Sequence, residues 1–164
     1  MKRFAALVGV ALAAAGLLTA SAGADDDNTK VWRVTIENLT PPGPGAPGSQ
    51  PLSPPLFVVH SERADVWSVG GIASHPVAAI AEDANNAPAE SALAQLRGVR
   101  AVFTGAGGPI PSGTSSTYMV ETKGRFTRLS VVTMRVNTND AFTGLDSYRL
   151  RGDGAVLRRM AYDA

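Results

Sequence analysis

The 164-residue chain predicts an all-β fold, an antiparallel β-sandwich, on three observations. From Val99 onward, short runs rich in β-branched and aromatic residues alternate with Gly, Pro and Asp turn signals at the spacing of a sandwich. Leu129 to Val136, LSVVTMRV, is apolar on both faces, the composition of a strand buried on both sides. Helical signal is confined to residues 76–97, so one or two short helices are expected there.

Taken in order, the chain starts with an export signal. Lys2 and Arg3 precede an apolar run from Phe4 to Leu18, and Ser21-Ala22-Gly23-Ala24 supplies small residues for cleavage after Ala24. The run is short for a membrane span, so a soluble secreted or periplasmic protein with no transmembrane segment is expected. Asp25 to Lys30 is expected to be a disordered leader, and residues 31–164 one domain. Val31 to Asn38 alternates, with Trp32, Val34 and Ile36 on one face of a half-buried strand. Residues 41–55 hold seven of the eleven prolines and read as an exposed loop.

Leu56 to His60 is a short buried strand, and Trp67 to Gly71 reads as a second extended piece with a turn. Pro76 to Glu82 and Pro88 to Leu96 carry the helical signal, the second ended by Gly98. Strands follow at Val99–Phe103 and Thr114–Glu121, then a hairpin turn at Thr122-Lys123-Gly124 leads into Arg125–Val136. A polar stretch, Asn137 to Asp140, leads to a turn at Gly144. A last hairpin pairs Leu145–Leu150 with Ala155–Met160 about Gly152-Asp153-Gly154.

Composition narrows the function classes. There is no cysteine, so export without disulfides suggests a bacterial protein or stabilisation by a bound ion. Without Lys2 and Arg3, the 15 basic residues become 13 against 14 acidic ones, and a nucleic-acid partner is not expected. His60 and His75 stand in no metal-ligand spacing, and there is no G-x-S-x-G elbow. His60-Ser61-Glu62 cannot form a triad, because neighbours on a strand point to opposite faces. Arg151-Gly152-Asp153 is read as ordinary turn chemistry.

That leaves three carboxylates near strand ends: Glu121, Asp140 and Asp163. Brought to one rim they would repel one another unless a cation sat among them, and oxygen ligands without His or Cys favour calcium. A competing enzyme reading is a secreted hydrolase with Asp140 and Asp146 as its acid–base pair. A third reading is a metal-free structural domain.

Met134 to Asp146, with its Asp-x-Phe-x-Gly-x-Asp element, is similar to the strand motif of the spondin domain, as in F-spondin, mindin and small secreted bacterial proteins. His60-Ser61, Ala73-Ser74, Ala81-Glu82 and Ala161-Tyr162-Asp163-Ala164 resemble further landmarks of that family. The resemblance runs from about Trp32 to the C-terminus. It implies a β-sandwich like that of calcium-dependent lipid-binding domains, with one calcium ion held by Glu121, Asp140 and Asp163. Asn137 and Asn139 replace the motif's prolines and Ala141 its Trp, so calcium is expected to bind weakly. The implied role is non-enzymatic: adhesion or binding of an extracellular or cell-surface ligand, protein or glycan.

Overall fold

The computed structural model describes residues 28–164 except 44, 46, 47 and 153. The expected export signal, Asp25 to Asp27 of the expected leader, and Asp153 lie outside the described residues. Among the described residues, seven strands form two antiparallel sheets. The smaller pairs β1 (Thr29–Glu37) with β4 (Ser115–Lys123). The larger has the order β3-β2-β5-β6-β7. Its strands are β2 (Leu56–His60), β3 (Val99–Thr104), β5 (Arg128–Met134), β6 (Ala141–Arg149) and β7 (Ala161–Asp163).

The doubly apolar strands sit where their composition requires. β2 is buried along its whole length, and β5 in all but its first residue. Phe57, Val59, Leu129 and Val131 face the small sheet and pack with Tyr118, Val120 and Ile110. The Phe57 ring stacks on Phe103 at 5.1 Å and meets Tyr118 at 4.8 Å. On the other face, Leu56, Val58 and Val132 pack under α1 (His75–Asp83) and α2 (Ala87–Ala94). Each such side chain gains roughly 1.5–3 kcal/mol from burial. The sandwich therefore carries a helical cover on the outer face of its larger sheet.

Several expectations are corrected. β1 begins at Thr29, inside the expected leader, because Thr29 and Lys30 pair with Lys123 and Thr122. The turn after Lys123 does not join paired strands. β4 belongs to the small sheet and β5 to the large one, so residues 124–127 carry the chain between layers. Gly144 is not a turn but a mid-strand residue of β6. Residues 155–160 form no strand, and β6 pairs instead with Ala161–Asp163. Residues 61–74 hold no strand either, yet Val66 and Trp67 are buried. The end of the Pro-rich segment is not an exposed loop: Leu52 is buried and bridges Ile110 and Arg135.

Candidate functional site

The polar stretch between β5 and β6 is a closed turn tied to the Pro-rich segment. Thr138 Oγ1 donates to the Arg135 carbonyl at 2.6 Å and accepts from the Ala141 amide at 3.2 Å. Asn137 donates from its amide to Gln50 Oε1 and from Nδ2 to the Ser49 carbonyl. Asn137 and Thr138 are thus engaged in shaping the turn, as turn residues of this kind commonly are. Asp140 follows them at the start of β6.

Pairing of β6 with β7 sets Asp163 opposite Ala141, and the Ala164 amide donates to the Asp140 carbonyl at 3.2 Å. Asp140 and Asp163 therefore stand on adjoining strand ends at one corner of the large sheet, with Asp163 in register with Ala141. Neither carboxylate has a hydrogen-bonding or ion-pair partner among the described residues.

Glu121 stands elsewhere. It lies on β4 of the small sheet and pairs with Arg100 at 3.0 Å. Arg100 follows Val99, which pairs with His60, which in turn pairs with Arg128 at the start of β5. Asp140 lies beyond the other end of β5, roughly 20 Å away at about 3.3 Å per residue. The three carboxylates do not share a rim, and no group of three or more His, Cys, Asp and Glu suited to a metal occurs among the described residues. The three-ligand set does not fit this geometry. Two carboxylates with the turn's carbonyl oxygens remain as a donor set for a hard cation. Asp140, just before β6, and Asp146, the sixth residue of that strand, form the proposed acid–base pair. About 20 Å of extended strand separates them, against the roughly 5–9.5 Å that paired catalytic carboxyls need.

The structure also groups residues that sequence reasoning left apart. His60 is fully buried, with Nδ1 2.8 Å from the Ser61 carbonyl and Nε2 2.9 Å from Ser130 Oγ. A carbonyl only accepts, so Nδ1 carries the proton and Nε2 accepts from the Ser130 hydroxyl. Ser130 Oγ accepts in turn from the Ser147 amide at 2.9 Å. Ser147 has φ 41°, and β6 bulges there: Asp146 and Ser147 oppose the single residue Ser130. Burial, reinforced by the Arg128 charge, holds His60 below its ordinary pKa. Burial and the neighbouring Asp65 carboxylate raise the Asp146 carboxyl, partly offset by His60 and Arg159. His60 is thereby a structural histidine, sealed from any substrate.

Beside the Asp140–Asp163 corner lies a shallow cleft of about 250 Å³, between the 67–73 segment and β7. Trp67, Phe142 and Tyr162 form its base, with ring centroids 5.0–5.7 Å apart. Phe142 and Tyr162 lie within family landmarks of the sequence, but nothing local shows that they meet Trp67, because the three rings come from three separate segments.

A family model described as Spondin_N matches residues 47–163, and the chain belongs to that family of extracellular modules. No curated protein matches it. Among the described residues, no helix is long and apolar enough to cross a membrane.

Proposed function

We propose that this protein is an exported, non-catalytic binding module of spondin type, whose corner at Asp140 and Asp163 takes one calcium ion. The observation that supports the reading is the β6–β7 register, which brings Asp140 and Asp163, both unpartnered among the described residues, to adjoining strand ends next to a turn of oxygen-bearing residues. A hard cation relieves their repulsion and accepts carbonyl oxygens as further ligands. Glu121, committed to Arg100 at the other end of the sandwich, is outside this site. Calcium would order the corner and fix the 67–73 segment beside it, leaving the loops to bind an extracellular or cell-surface ligand, protein or glycan. The separation of Asp140 from Asp146 and the burial of His60 support a role without catalysis.

Calorimetric titration with calcium tests the reading. One site with a dissociation constant on the order of 10⁻⁴–10⁻³ M, as in extracellular modules, is expected. Asp163→Asn should abolish the heat. No saturable heat from the unaltered protein would overturn the calcium assignment.

A further inference from the structure

Residues 154–160, between β6 and β7, are exposed without interruption and adopt no regular structure. A core strand would never leave such side chains in water, yet Val156 is 86% exposed, Met160 77% and Leu157 41%. Arg158 and Arg159 lie between them in sequence, and Arg149 and Arg151 precede them. All four arginines fall within the last sixteen residues of a chain that is otherwise close to charge balance. Hydrogen bonds hold its ends: the Leu150 amide donates to Thr127, and Thr143 Oγ1 donates to the Met160 carbonyl at 2.7 Å, while Arg159 lies within electrostatic reach of Asp146. Two residues past Met160, Tyr162 lines the cleft whose far wall carries Val69 and Ile72, themselves 66% and 102% exposed.

We infer that this segment is a docking surface for an anionic phospholipid bilayer. Bare aliphatic side chains interleaved with arginines match the two layers of such a surface. Aliphatic groups enter the acyl boundary, while guanidinium groups stay at the phosphates on long apolar stems. A bilayer takes isolated apolar side chains without a shaped pocket. A protein partner would need a complementary, closely packed contact centred on aromatic anchors, and residues 154–160 contain none. Charge complementarity sets the sign: the arginines favour phosphatidylglycerol-like headgroups over zwitterionic ones. The inference rests on export but not on calcium, since no carboxylate takes part.

Vesicle co-sedimentation of the exported, processed protein tests it, with a chelator present so that failure of the calcium site cannot affect the result. Binding to vesicles of equal phosphatidylglycerol and phosphatidylcholine is expected, with little binding to phosphatidylcholine alone and weakening as salt rises. Replacing Arg158 and Arg159 together by Gln should weaken binding about 25-fold, roughly fivefold per arginine. Val156→Ser with Met160→Ser should weaken it while leaving the salt dependence in place. The inference is overturned if no vesicle binds, which would leave the segment to a protein partner. It is equally overturned if the arginine pair or the apolar pair can be replaced without loss.

Discussion

At the scale of single residues, the family landmarks owe their identity to packing. A Cβ on Gly144 would fall directly on the Val131 carbonyl of the neighbouring strand, with Val131 C 2.9 Å away. Real Cβ atoms do not approach so closely, so β5 and β6 would have to separate. Gly144→Ala should cost about 3 kcal/mol or more in urea unfolding, at the upper end of overpacking changes; a cost under about 0.5 kcal/mol would refute this account. His60 gives a pH dependence whose sign follows from its environment. The folded state binds its proton less readily than the unfolded chain does, so its contribution is complete above the ordinary value of 6.5. It is lost as pH falls from 6.5 toward the lowered folded value. Asp146 acts oppositely in a lower window: above its ordinary 3.8 and up to its raised folded value, the fold favours the protonated form. Stability should therefore fall between pH 7 and pH 5.5, and His60→Phe should remove the part of that slope due to the imidazole. An unchanged slope in the variant would show that His60 is not the titrating group. Neither role was legible in sequence. Gly144 looks like a turn because glycine's commonest use is a turn, and His60 gives no hint of Ser130, seventy residues away.

At the scale of elements, local pattern and composition served well wherever burial follows the sequence of a single segment. The alternation in Val31–Asn38, the doubly apolar β2 and β5, and the proline-started helices all appear within a few residues of their expected bounds. It failed where order comes from distant contacts. Residues 61–74 hold their shape through Trp67 against Phe142 and Tyr162, and no local pattern encodes that. α2 is likewise too short to persist alone. Asn86, just before it, donates to the Pro54 carbonyl at 3.0 Å and to Thr104 Oγ1 at 2.9 Å, and Thr104 bonds Glu90 within the helix. One buried amide thus ties the helical cover to β3 and to the segment that leads into β2. Asn86→Ala should destabilise by about 2 kcal/mol, because it removes two part-buried hydrogen bonds worth roughly 1 kcal/mol each. Hydrogen exchange should then show α2 opening before the sheet does. Uniform loss of protection across sheet and helix would argue against Asn86 as the local tie.

At the scale of the molecule, two sheets and a helical cover place the candidate calcium corner at the end of the large sheet, beside an aromatic-floored cleft. Sequence reasoning nominated Asp140, Asp163 and Glu121 together and could not tell that Glu121 stands on the other sheet. Which rim a strand end occupies depends on the sheet its strand joins, and the crossing at residues 124–127 reads in sequence as an ordinary hairpin. On the reading proposed above, Asp140 and Asp163 take calcium without Glu121. Thermal unfolding of the processed protein in calcium and in chelator tests it most directly, beside Asp140→Ala and Glu121→Gln. Ligand at ten times its dissociation constant stabilises by about 1.4 kcal/mol, a rise of roughly 3–5 °C for a domain of this size. The account predicts that rise in the unaltered protein and in Glu121→Gln, and its loss in Asp140→Ala. Identical curves with and without calcium, or a rise abolished by Glu121→Gln, would contradict it.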